Sequence, residues 1–438
     1  MSVRMRLFLG LWSFLWTVGM PFVLLYLRRR GRKDELYAAH LDERFGRYDQ
    51  TLPGAVWVHA VSLGEMRSAV PLIRALLDRG ERVVVTLFTP AGRREAERVF
   101  AADIDTGRLA AVWVPFETGA AYRRFLDAFR PQYGLVMEIE IWPRMVQAAR
   151  AAGVPLFMCN AQYPTKSIAR DSRWPRLRQE VMRGFAGAFV KSDLQAERFA
   201  AIGVPNIHVT GELRFDQPIP PVLLDAGRAA RDWIGARDRR VITIASAVEG
   251  EDPVYLDMIR ALRDGGGVPP LFIYVPRRPE RFDEVAGFLE AAGLSVLRRS
   301  RALGETLGVP IDAPAPVAVP DIFLGDSLGE MYFYLAMADA VVVGGGFTPH
   351  GAHNIIEPLA VGKPVVTGPE VGTIEYPFVE AEAAGVAWRV RDAADLAGAV
   401  RGLSPDTQAI ERFLADHAGG VRRLLAALPD ALATARGA

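Results

Sequence analysis

Cysteine is nearly missing from this chain. Cys159 is the only one in 438 residues, which excludes a disulfide within the chain and points to a reducing compartment. Net charge is also close to absent: 52 Lys and Arg against 51 Asp and Glu leave +1, so no overall field argues for nucleic acid as a partner. Histidine is scarce, and six scattered residues with a single cysteine give no zinc-type spacing; no metal site is expected. Internal repeats and low-complexity tracts are missing as well. What remains is a globular composition, 50% hydrophobic and 24% charged, long enough for two or three domains that each bury a core.

The one long apolar run stands at the amino terminus. From Leu7 to Leu27 there is no charge, and Leu, Phe, Trp and Val dominate. As a helix this stretch is about 30 Å long, enough to cross a hydrocarbon core. Arg28, Arg29, Arg30, Arg32 and Lys33 follow it, against Arg4 and Arg6 before it, an asymmetry that puts the following domain on the cytoplasmic side. A secretory signal fits poorly, because the run is too long and ends in arginines without a small-residue cleavage site. Pro21 leaves room for a kinked or half-inserted anchor in place of a full span.

From residue 55 onward, short β-branched runs alternate with helical patterns. Strands are predicted at 55–61, 82–88, 111–114, 133–137, 155–159 and 187–190, and after a proline-rich break at Asp216–Pro221 at 241–245, 270–275, 317–319, 340–343, 364–367 and 385–389. Helices are predicted over 65–77, with a stripe of Met66, Ala69, Val70, Ile73, Leu76 and Leu77, and over 91–100. Such alternation implies parallel sheets covered on both faces, with ligands at the carboxyl ends of the strands. There the first half carries two acidic loops, His59–Glu65 and Met137–Pro143, the latter with Glu138 and Glu140 side by side. Asp103 and Asp105 read as solvated. The second half offers Arg277 and Arg278 after one strand, suited to phosphate. It adds a turn at 326–331 and the glycine-rich stretch Gly344–Pro358. In that stretch a helix starting at Asn354 places free N–H groups over the glycines as a phosphate seat, with Glu357 set to accept ribose hydroxyls. Each loop alone also reads as an ordinary turn; three on one edge converge on an anion.

The ordered pieces RRRGRK, ERFGRY, HAVSLGE, FTPAGRREAERVF, MEIEIWP, GELRFD, PRRPERF, GDSLGEM and GGGFTPHGAHNIIEPLAVGKPVVTGP resemble the bacterial Kdo transferase family. Its members move 3-deoxy-D-manno-octulosonic acid (Kdo) from CMP-Kdo to a lipid A precursor. The resemblance spans nearly the whole chain. It implies a GT-B glycosyltransferase: two doubly wound Rossmann-like parallel-sheet domains facing a central cleft, preceded by a membrane-anchor helix. The domains are expected at 1–27 (anchor), 28–217 (acceptor), 218–405 (CMP-Kdo) and 406–438 (terminal helical segment, with a crossing back to the first domain open to it). It implies Glu65 as general base, from the family's SxGE motif, and Glu138 and Arg214 as supports of the transition state. It puts CMP contacts at Arg277, Arg278, Gly329, Glu330, Met331, Asn354 and Glu357. It further implies inverting transfer to lipid IVA without a metal or other cofactor, at the cytoplasmic face of the bacterial inner membrane.

Some positions depart from the family pattern. Ala247 and Val248 replace the hydroxyl and imidazole of an STH element, and Gln162 and Lys166 replace two arginines of NARLSxRS. Arg214 stands where lysine is usual, keeping the charge but not the shape. The nucleotide seat reads as intact, while sugar and acceptor stay open. The alternative is a divergent GT-B enzyme using another ulosonic acid or a UDP-sugar on a membrane-bound acceptor. A silent binding protein that kept the fold is disfavoured by the retention of Glu65, Glu138 and both arginines.

Overall fold

Runs such as Val83–Leu87 and Ala340–Val343 are buried at every position, as strands covered on both faces must be. The computed structural model describes residues 3–173, 176–303, 316, 318–404 and 406–437. Its backbone divides into two units, Met1–Gln217 with Ala418–Ala438, and Pro218–His417.

The first unit holds seven strands: β1 (Val56–His59), β2 (Val83–Leu87), β3 (Leu109–Trp113), β4 (Gly134–Met137), β5 (Leu156–Ala161), β6 (Gly187–Val190) and β7 (Ile207–Val209). Their order is β3-β2-β1-β4-β5-β6-β7 and every pairing is parallel. Alternate residues feed two cores. Trp57, Val84 and Val136 face one, with Phe125 and Met145; Val58, Val85 and Leu135 face the other. On that second face lies α2 (Leu63–Asp78), which buries Met66, Ala69, Leu72, Ile73, Leu76 and Leu77. The second unit repeats the plan with β8 (Val241–Ala247), β9 (Leu271–Pro276), β10 (Val296–Arg298), β11 (Ile322–Leu324), β12 (Ala340–Val343), β13 (Val365–Thr367) and β14 (Ala387–Arg389). These run in the order β10-β11-β9-β8-β12-β13-β14.

The first strand order reverses direction between β1 and β4, and the second between β8 and β12, with β10 and β11 exchanged at its far edge. The crevice beyond such a reversal is where open parallel sheets bind ligands. Other elements are α1 (Val3–Gly31), α3 (Pro143–Ala151), α4 (Met331–Met337) and α5 (Ile356–Ala360). At the carboxyl terminus come α6 (Thr407–His417) and α7 (Gly420–Gly437). α6 stays with the second unit and α7 with the first, so the terminal segment expected as one piece is shared. Asp216 accepts from the Gly419 N–H at 2.6 Å and the Val421 N–H at 2.7 Å, capping α7 with a carboxylate at its positive end.

Some sequence-based expectations need correction. The strand predicted at 317–319 begins on Val317, which lies outside the described residues; the strand seen is 322–324. Three-residue β7 and β10 were not anticipated. Asp103 is not solvated: it sits on the short helix Ala101–Asp105, is 3% exposed, and pairs with Arg74 and Arg108. A buried carboxylate loses water and must find cations instead.

Candidate active site

The acidic loops predicted in the first unit follow β1 and β4, the two strands that flank the reversal. Ser62 caps α2 by accepting from the Glu65 N–H, and Glu65 closes the capping box. Its Oε2 accepts from the Val61 N–H at 2.6 Å and the Ser62 N–H at 3.0 Å. The spacing Ser-x-x-Glu in front of an apolar run is the local cause. Glu65 is 7% exposed. Burial, then the nearby charges of Glu140 and Glu138, push its pKa up to about 8, against the pull of the two backbone N–H groups. Oε1 makes no hydrogen bond among the described residues.

Glu138 is the first residue past β4 and has a φ of 55°. That left-handed backbone is uncommon for a residue with a side chain and concentrates at functional sites. Its Oε1 accepts from Arg214 Nη2 at 2.9 Å, while Arg214 Nε donates to Ser68 Oγ at 2.8 Å. Ser68 stands one turn after Glu65 on α2 and in turn donates to the Gly64 carbonyl at 2.9 Å. The three predicted catalytic residues are therefore brought together: Glu138 and Arg214 directly, and Glu65 through the helix that Arg214 grips. Beneath them, buried Glu212 accepts from Lys191 Nζ at 2.7 Å, Asn160 Nδ2 at 2.7 Å and the Arg214 N–H at 3.2 Å. Burial works against its charge, but Lys191 and Arg214 outweigh it and hold the carboxyl at about 2. Glu140 accepts from Trp142 Nε1 at 2.6 Å, and burial raises its pKa. His59 is buried beside Thr86, and burial drives its pKa down to about 3; it is neutral at physiological pH.

In the second unit the arginines divide by role. Arg277 and Arg278 are exposed after β9, and Arg277 feels the charges of Glu357 and Arg278. Arg281, in the same PRRPERF stretch, is buried and paired with Asp252 and Glu284. The turn before α4 leaves the N–H groups of Leu328, Gly329, Glu330 and Met331 without an acceptor among the described residues. The Glu330 side chain points elsewhere, in a two-bond pair with Arg299 at 2.7 and 2.8 Å. Its carboxylate is thus engaged, and only its backbone faces the turn's free edge.

The glycine-rich stretch differs from expectation. Glu251, fully buried after β8, accepts from the Gly345 N–H at 2.9 and 2.8 Å and from the Phe347 N–H at 3.0 Å. Two amides of the glycine loop itself are thus occupied by a carboxylate of the chain, apart from the helix-start amides read as a phosphate seat. Gly346 is hemmed in by the Gly368 backbone and Thr367, and Gly344 by Ser246, so the glycines let backbones meet. The helix starts at Ile356, where Asn354 was expected, because Asn354 Oδ1 takes the Ile356 N–H at 2.9 Å. Ser68, Glu212 and Glu251 escaped sequence reading. Ser68 alone had a local signal, its i+3 position after Glu65 on one helix face.

Residues 39–217 match the family model described as 3-deoxy-D-manno-octulosonic-acid transferase. A protein of that name from Bordetella pertussis is 40% identical over 427 residues, covering 94% of this chain and 96% of its own length. One of the same name from Haemophilus influenzae is 28% identical, covering 95% and 97%. Among solved structures, a glycosyltransferase from Rickettsia africae superposes with a TM-score of 0.56 over 89% of this chain and all of its own, at 10% identity. That likeness speaks for the fold alone: paired doubly wound sheets of the GT-B kind.

Proposed function

Because the chain belongs to the 3-deoxy-D-manno-octulosonic acid transferase family, an enzyme family of glycosyltransferases, we propose that it transfers Kdo from CMP-Kdo to a lipid A precursor, lipid IVA, with inversion. The observation that carries this reading is the grouping of Glu65, Glu138 and Arg214 at the reversal of the first sheet. Glu65, with one oxygen committed to amides and the other uncommitted, takes the proton of the acceptor hydroxyl as that oxygen bonds to C2 of Kdo. The bond from C2 to the phosphate oxygen breaks, and its electron pair leaves with CMP. Arg214, held by Glu138 and Ser68, supplies positive charge next to the reacting groups.

On the donor side, Arg277 and Arg278 with the amides of Gly329, Glu330 and Met331 receive the phosphate. Asn354 and Glu357 stand by for the cytidine part. In this reading Glu330 acts through its N–H, since its carboxylate is bound to Arg299. The arginines neutralise the leaving phosphate, so no divalent cation is required; rates should be the same with and without a chelator, and restoration by magnesium would overturn that part. The chain acts at the inner face of the bacterial inner membrane, held there by α1, the single helix among the described residues long and apolar enough to cross a bilayer.

The test is transfer from CMP-Kdo to lipid IVA followed by mass spectrometry. A gain of one or two Kdo units is expected; no gain, with CMP binding intact, would move the assignment elsewhere. One observation keeps a second sugar in play: Gln162, where the family pattern has arginine, is buried with its Nε2 unpartnered. Running the assay with another CMP-linked ulosonic acid decides between them.

A further inference from the structure

The anchor helix has two faces that the sequence does not separate. One is docked on the first unit. Met5 and Leu9 are buried in its core, Trp12 Nε1 donates to Glu117 Oε2 at 3.0 Å, and Trp16 lies against Phe116 with ring centroids 5.8 Å apart. Arg144, at the start of α3, reaches back to the Leu9 carbonyl at 2.6 Å and to the Ser13 hydroxyl. Glu117 is also tied to the unit, because it accepts from the Arg144 and Met145 N–H groups. The contact is therefore specific and polar as well as apolar.

The other face is bare. Leu7, Leu11, Phe14, Val18, Phe22 and Leu25 are between 55% and 73% exposed. At 100° per residue they form one stripe, about 165° around the axis from the docked stripe of residues 5, 9, 12, 13 and 16. The bare stripe is about 27 Å long. Arg4 and Arg6 stand at one end of it, and Arg28, Arg29, Arg30, Arg32 and Lys33 at the other.

We propose that α1 lies in the plane of the membrane surface, its bare stripe in the acyl boundary of one leaflet and its docked stripe on the protein. This deepens the membrane attachment proposed above and rests on it. The occupant follows from charge and shape. An apolar stripe flanked by arginines at both ends matches an anionic leaflet, where both basic clusters reach headgroups of the same side. A helix crossing the bilayer would carry Arg4 and Arg6 to the far side. With residues 5–16 still docked, it would also drag Glu117 and Arg144 to hydrocarbon depth, where a charge is costly. Lying flat leaves both at the interface and keeps every contact on the docked face.

The experiment uses the full chain with single substitutions Val3→Cys and Arg28→Cys, added to preformed vesicles of phosphatidylcholine and phosphatidylglycerol. A membrane-impermeant maleimide then reads which helix ends face the outer solution. The native chain is the control, since Cys159 is buried. Flat attachment labels both ends equally, before detergent, on vesicle-bound protein. One end labelled only after detergent overturns the flat arrangement and leaves membrane attachment standing. A chain that stays in the supernatant overturns both. In parallel, Phe14→Glu with Phe22→Glu should cut the vesicle-bound fraction about tenfold or more. The thermal midpoint should not change, because both rings are exposed. Unchanged binding would show that the bare stripe faces something other than lipid.

Discussion

In the proposed reaction Glu65 has two tasks that pull on the same carboxylate. One oxygen fixes the start of α2 through Val61 and Ser62, and the other is left for chemistry. With its pKa near 8, the base form grows as pH rises, so kcat/KM should climb through a limb centred at about 8. Removing both neighbouring charges, as in Glu140→Gln with Glu138→Gln, should move that limb lower; a limb that stays put would exclude Glu65 as the titrating base. The sign reverses for stability. A proton held until about 8 in the fold but released near 4.5 in an ordinary glutamate stabilises the fold fully below about 4.5, and this is lost as pH rises towards 8. Glu65→Gln should accordingly gain in thermal midpoint relative to the native chain between about pH 5 and about pH 9, while transferring no sugar. Glu65→Ala should bind CMP normally and be inactive.

Glu251 gives the contrasting residue-scale case. Truncation to alanine strips the acceptor from one buried and one partly buried N–H group in the glycine stretch at about 1–3 kcal/mol each. Chemical denaturation of Glu251→Ala should show a loss of about 2–6 kcal/mol; an unchanged midpoint would mean that those amides have another partner. The helix near Glu65 was legible from its apolar stripe, and the Ser62–Glu65 box that starts it two residues earlier, though unread, is spelled by four adjacent residues. The Glu251–Gly345 bond joins positions 94 apart, and nothing in either neighbourhood announces it.

Among the elements, the loop after β9 separates binding from support. Arg277→Ala and Arg278→Ala should each weaken CMP binding about 10- to 100-fold by calorimetry, the scale of a charge-assisted bond, with the thermal midpoint unmoved. Arg281→Ala should do the reverse, since it leaves Asp252 buried beside Tyr274 without its cation. Equal effects at 278 and 281 would refute the division. The long β-branched strands were legible because each is buried on both faces. β7, β10 and β11 are three residues each, which leaves little periodicity to register, although β13 and β14 are as short and were found; all of them exist because a neighbouring strand offers them a ladder. The anchor helix was legible as apolar, yet not as two-faced. One face is apolar for the protein core and the other for what lies outside it, so the wheel shows no contrast.

For the molecule as a whole, the doubly wound plan of both sheets could be read from alternation alone. The ownership of the last helix could not, because its apolar stripe fits any sheet face; only the family resemblance left a crossing back to the first unit open, and that is where α7 lies. Leu424 of α7 is fully buried in the core of the first unit, so Leu424→Ala should cost about 2–5 kcal/mol. That loss should appear in the transition of the first unit. A chain ending at His417 should lose that unit's cooperative unfolding while keeping that of the second; retention of both would return α7 to a peripheral role.

The carboxylate of Asp216 touches the N–H of Gly419 across two hundred intervening residues. The polypeptide thus exits its first half and re-enters it at a single doorway, and everything between is an insert. A gene in which residue 217 is spliced to 418 should still yield a foldable half. The insert could in turn be traded for that of a relative with different nucleotide taste, with no new seam on the half that carries Glu65. On the function proposed above, donor choice would travel with the insert and acceptor choice with the half that carries Glu65, so that the two could be inherited separately.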